Sequence, residues 1–194
     1  DSLGIDPHKW LFQPYEIGCL LIRNREHLKE TFKTSAEYLK IIEQSAEQIN
    51  FCDYGVQLTR GFRALKLWLS FKAFGIDAFR KAITLGIENA EYVESLLRAN
   101  PCWEIITPAR LGIITFRYAV DGMGEDERNA LNNRIAQETI LSGYALLSPT
   151  ILGGKHILRM CTINPRTTHH DLERTVELLQ EYGTSLSQIG NANG

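Results

Sequence analysis

Asp6-Pro7-His8-Lys9-Trp10 is the densest cluster of reactive side chains in the sequence. A lysine at the end of a short strand, flanked by histidine and tryptophan, is a poor composition for a solvated surface. An ammonium taken out of water loses its proton readily and becomes an amine nucleophile toward aldehydes. Pro7 fixes the backbone just before it. The plain alternative is a surface lysine whose histidine neighbour is hydrogen-bonded nearby. Arg60 and Arg63 form a second cluster, three apart at a predicted helix start and so on one face. Arginine at a helix N-terminus opposes the macrodipole, which points to a specific anionic partner. His169-His170 reads as a solvated first turn of the last helix, and His27 and His156 have no identifiable partner. Trp68, Phe71 and Phe74 read as packing residues.

These residues need elements to hold them. Residues 1–23 read as two short strands around a turn, with Leu3 and Ile5 alternating on the first and Cys19 to Ile22 forming the second. A helical piece follows near Arg25 to Lys33, then a long connection of the kind that is functional or mobile. Helical text runs from Phe62 to Phe74 and stops at Gly75. Asp77 is the expected cap of a second helix, on which Phe79, Ile83, Ile87, Ala90, Val93 and Leu97 share a face. Beyond Asn100-Pro101 come strands at 103–106 and 111–120, a helix over 125–142, strands at 144–151 and 157–163 with Gly153-Gly154 as a hairpin signal, and a helix over 168–186. That order suggests a small α+β layer with helices on one face of a sheet. The boundary between two domains is expected in the Phe62–Phe74 helix, giving 1–65 and 66–194.

Composition narrows the function. The 194 residues are 44% hydrophobic and 23% charged, as in ordinary globular chains. Lys+Arg 21 against Asp+Glu 23 leaves a net charge of −2, so no basic excess favours nucleic acid. The apolar runs are short and broken by charge, which argues against a membrane partner. The four cysteines are far apart, with no CxxC pair and no metal-ligand spacing, so no metal site is read and a reduced, cytoplasmic setting is expected. The chain opens directly on strand-like text, which reads as a piece of a longer polypeptide.

Several blocks in order resemble one family. Asp6-Pro7-His8-Lys9-Trp10-Leu11, with Gly18 to Arg23 after it, is similar to the lysine segment of pyridoxal-phosphate-dependent amino-acid decarboxylases, the group holding the aromatic-L-amino-acid, histidine and glutamate enzymes. Glu37-Tyr38-Leu39-Lys40 resembles their mobile catalytic loop. The run from Arg60 to Trp68 resembles the arginine-rich helix start of the aromatic branch. Gly154 to Arg159 and Asn164 to Thr167 resemble the last strand and closing loop of the small domain.

The resemblance implies an α/β and α+β chain of fold type I (aminotransferase-like), comprising the end of the large domain and the small C-terminal domain. It implies pyridoxal 5'-phosphate as cofactor, an L-amino acid as substrate and a homodimer. Lys9 would be the Schiff-base lysine, with His8 beside the cofactor phosphate and the reacting centre. Asp6 falls where relatives usually carry asparagine, and an ionised carboxylate there must point away from a phosphate, share a proton or find a cation. Tyr38 lies 29 residues after Lys9, the family's interval to the loop tyrosine that protonates the product; relatives with phenylalanine there form aldehydes. Thr59 and Arg60 would shape the substrate pocket and its entrance, while Gly61 replaces a common arginine. The alternatives are a sister reaction, aldehyde synthesis or transamination, and a non-catalytic module that keeps the fold and dimer surface.

Overall fold

A computed structural model describes residues 1–32 and 49–192. Tyr38 and the loop match at 37–40 lie outside the described residues. The chain divides into two compact units, Asp1–Ile76 and Asp77–Gly194.

In the first unit, β1 (Ser2–Ile5) pairs antiparallel with β2 (Cys19–Ile22), Ser2 opposite Ile22 and Ile5 opposite Cys19. Between them lies a one-turn helix, α1 (Pro7–Trp10), with Pro7 in the first turn, where a missing N–H costs nothing. The expected alternation on β1 buries no face, since Leu3, Leu20 and Leu21 are all more than half exposed. After α2 (Glu26–Phe32) and a 3-10 turn at Phe51–Tyr54 comes α3 (Ala64–Phe74). This helix starts later than the sequence suggests. Arg63 is its N-cap and Arg60 lies outside it, so the two arginines do not share a helical face. The apolar side chains of α3 also depart from expectation: Trp68 and Phe74 are exposed rather than packed, and α3 buries no residue. Polar tethers hold it instead, as described below.

The second unit is built on a four-stranded antiparallel sheet in the order β3-β4-β6-β5, from β3 (Trp103–Arg110), β4 (Ile113–Tyr118), β5 (Ser148–Leu152) and β6 (Lys155–Cys161). Gly153 and Gly154 link β5 to β6 with φ of 57° and 79°, the double positive pair that a tight hairpin needs and that side chains resist. One core joins this sheet to α4 (Ile76–Arg98), α5 (Glu125–Leu141) and α6 (His169–Ala192). Val93, Leu97, Ile114, Phe116, Ile135 and Leu179 are its fully buried centre. Each such side chain stabilises the fold by about 1.5–3 kcal/mol relative to exposure.

Two sequence expectations change in α4. Asp77 sits in the first turn rather than capping it, and accepts a 2.8 Å hydrogen bond from Arg80. Ile83 and Ile87 are only half-buried, while Gly86 and Asn89 take the inner face. Thr162 is the cause: its hydroxyl donates to the Gly86 carbonyl at 2.7 Å, so the helix turns its smallest residue toward that strand end. A second close approach occurs at Gly183 on α6, where a Cβ would lie 2.6 Å from the Tyr118 ring.

Candidate active site

Lys9 lies not at the end of the strand, as the sequence suggests, but on the one-turn helix α1 that follows it, where the turn closes through Lys9 N–H to the Asp6 carbonyl at 2.9 Å. Its ammonium meets the Asp6 carboxylate at 2.7 Å, and both side chains are about half exposed, Lys9 at 61%. The Lys9 hydrogen bond holds the Asp6 carboxyl below the usual aspartate range. Of the three options open to Asp6, the structure shows the third: its cation is the neighbouring lysine.

His8 points the other way. Its Nδ1 lies 2.8 Å from the Ile17 carbonyl oxygen. A carbonyl only accepts, so Nδ1 carries the proton, and a neutral imidazole then keeps Nε2 as its free acceptor. The Tyr15 ring packs edge-on at 5.0 Å between centroids. Asp6 and Arg60 line one open cleft of about 560 Å³ together with Gly4, Ile5, Gly18, Cys19 and Leu20. Arg60 also borders a second cleft with Arg25, Phe51 and Tyr54. Thr59, beside it, is exposed. The structure thus brings Asp6 together with Lys9, and Asp6 and Arg60 line one cleft that Lys9 and His8 do not line.

The anionic partner expected for the arginine pair belongs to Arg63. Its guanidinium grips one Glu16 carboxylate oxygen at 3.0 Å through Nε and 2.5 Å through Nη2, and holds that carboxyl below the usual range. Sequence reading did not find Glu16, nor the residues that work with it. Lys66 Nζ donates to the Pro14 carbonyl at 3.1 Å and to the Glu16 carbonyl at 2.9 Å. The Ser70 hydroxyl donates to Gln13 Oε1 at 3.0 Å, and Gln13 is buried. A signal was present: positions 63, 66 and 70 follow a helical stripe, and all three are polar.

Three of the other four histidines have structural partners, His156 through its backbone. The Asn24 amide reaches the His27 ring at 3.2 Å, the His156 backbone N–H donates to Asn129 Oδ1 at 2.8 Å, and His169 stacks on Tyr92 at 4.1 Å. Among the described residues, no helix is long and apolar enough to cross a membrane.

Known proteins resemble this chain in sequence and fold. Residues 1–119 match the model of the pyridoxal-dependent decarboxylase conserved domain. An aromatic-L-amino-acid decarboxylase of Bacillus atrophaeus is 51% identical over 174 residues, covering 89% of this chain and 36% of that protein. Tryptophan decarboxylase 2 of rice, Oryza sativa subsp. japonica, is 29% identical over 187 residues, covering 96% and 38%. The crystal structure of Oryza sativa TDC with pyridoxal phosphate and tryptamine superposes with a TM-score of 0.87 at 26% identity, covering 96% of this chain and 39% of that one. The chain therefore spans well under half the length of these relatives. With the lysine segment at its start and more than half its residues inside the family's conserved domain, this chain belongs to the pyridoxal-dependent decarboxylases.

Proposed function

We propose that this chain supplies the cofactor-binding lysine and the proton-donating loop of a pyridoxal 5'-phosphate-dependent carboxy-lyase. Its substrate would be an L-amino acid with an aromatic side chain, and its products the amine and carbon dioxide. The observation that carries this reading is 51% identity over 174 residues to a bacterial aromatic-L-amino-acid decarboxylase, in a chain whose Lys9 amine is exposed on the one-turn helix α1. The residues present fit an aldehyde cofactor: a reachable primary amine, a histidine with one ring nitrogen free, and an open cleft beside Asp6. Pyridoxal phosphate, when bound, supplies an electron sink for the charge left by the departing carboxylate.

The chain's own residues divide the remaining work. Lys9 binds the cofactor through its ε-nitrogen once the Asp6 contact opens. His8, oriented through Nδ1, would lie beside the cofactor, with Nε2 available to exchange a proton there. The Tyr38 hydroxyl hands a proton to the substrate Cα. Thr59 and Arg60 border the path by which the amino acid enters. The reading includes a homodimer, since the family's active sites draw on both subunits. It also includes a cytoplasmic setting, in keeping with four free cysteines.

The test is Lys9→Ala in the whole enzyme. Borohydride should fix no cofactor to the variant, while in the native protein the label maps to the peptide holding Lys9. A label retained on another lysine would overturn the assignment.

A further inference from the structure

We propose that Arg63 and Lys66 are positioning residues for His8, acting through the loop at 14–17. The inference rests on the decarboxylase reading only for its catalytic consequence. The imidazole is oriented by the Ile17 carbonyl at 2.8 Å and by the edge-on Tyr15 ring at 5.0 Å, both supplied by this loop. That carbonyl belongs to an irregular segment between α1 and β2, which lacks strand or helix bonds to fix it. Its position is set from α3 instead. Lys66 Nζ bridges the Pro14 and Glu16 carbonyls, Arg63 grips the Glu16 carboxylate, and Ser70 holds Gln13. All of these come from one stripe of α3, at positions 63, 66 and 70.

The physical consequence concerns a proton. With the Ile17 carbonyl in place, the neutral ring is locked with hydrogen on Nδ1, and Nε2 is left as acceptor. Once the loop is released, the tautomers mix and the ring can rotate. Outer partners of this kind, which orient a functional histidine through its second nitrogen, change activity by about 10- to 100-fold when removed. Ile17 itself is buried, which holds the carbonyl's residue in the unit while α3 sets the segment leading to it.

The experiment uses the whole enzyme labelled with 15N-histidine, with the His8 signal identified by its loss in His8→Gln. In the cofactor-free native protein His8 should show one tautomer, with Nδ1 protonated. In Lys66→Met, and separately in Glu16→Gln, which alters an exposed side chain and spares the helix, the signal should move toward a tautomer mixture. In the loaded enzyme kcat should fall about 10-fold with KM within about twofold, and Lys66→Arg should recover part of the loss. An unchanged tautomer in both variants overturns the proposal, and so does a changed tautomer with unchanged kcat. Failure of the wider reading is seen separately, as absence of a borohydride-fixed label on native Lys9, and leaves the cofactor-free tautomer measurement intact.

Discussion

The Asp6 carboxylate and the Lys9 ammonium face each other at 2.7 Å across one turn of chain. A nitrogen that donates to a carboxylate has no lone pair to offer an aldehyde, so this contact must open before Lys9 reacts. Asp6→Asn should therefore speed capture of an aldehyde by about two- to fivefold, the scale of an exposed ion pair. Pyridoxal, which carries no phosphate, separates release of the amine from relief of charge repulsion. Capture is read by borohydride trapping and peptide mass. An unchanged rate with pyridoxal would mean that Asp6 does not restrain Lys9.

Under the proposed function, Tyr38 is the residue that would decide between amine and aldehyde. Lys9 and the loss of carbon dioxide are common to both outcomes, so cofactor binding does not distinguish them. A phenol can donate a proton to carbon, and phenylalanine cannot. Tyr38→Phe should keep carbon dioxide release while amine formation falls about 10²-fold or more, with aldehyde, peroxide and ammonia in its place. Product analysis under air gives the answer. An undiminished amine yield would remove Tyr38 from the mechanism and leave His8 as the proton source.

Gly183 tests the packing of the second unit. Alanine normally stabilises a helix by about 1 kcal/mol over glycine. Here its methyl would lie 2.6 Å from the Tyr118 ring, which is itself pinned edge-on by Trp103 at 5.0 Å. Overpacking of that kind costs about 1–3 kcal/mol, so the clash wins and Gly183→Ala should destabilise the unit. Adding Tyr118→Leu should recover most of the loss in denaturant unfolding, because the two effects share one contact.

The start of α6 should respond to acid. Thr168 donates to the Asp171 carboxylate from its backbone N–H at 2.8 Å and from its hydroxyl at 2.7 Å, which holds Asp171 below the usual aspartate range. A group whose folded pKa is depressed contributes fully above its unfolded value and loses that contribution as pH falls through the folded one. Amide protection over residues 168–172 should thus begin to weaken as pH falls into the ordinary aspartate range and be lost once it passes the depressed folded value. In Asp171→Asn that acid step should vanish; its persistence would place the sensitivity elsewhere.

Lys9 and the run from Arg60 to Trp68 were legible because they sit in contiguous text. Glu16 was not, because its partner Arg63 lies 47 positions away and the loop that carries it has no periodicity. The helix-dipole argument demanded an anion for both arginines; the described structure pairs one with Arg63, at the N-cap, while Arg60 lies outside the helix. In α4, apolar periodicity favoured Ile83 and Ile87, while close docking of Thr162 selected Gly86, a residue that hydropathy does not register. Trp68 and Phe74 read as core by residue type alone, and the described structure leaves them exposed.

The attachment of α3 has a consequence for how the enzyme is handled. Because the helix is held by ionic and polar contacts rather than buried carbon, dissolved electrolyte competes with them directly. The Glu16 side chain is 59% exposed, open to counterions on its outer side. Screening lengths shrink from about 10 Å at 0.1 M salt to about 3 Å at 1 M. If α3 positions His8 as proposed, rising ionic strength should loosen the order around that ring, so rates of the whole enzyme are to be compared at matched salt.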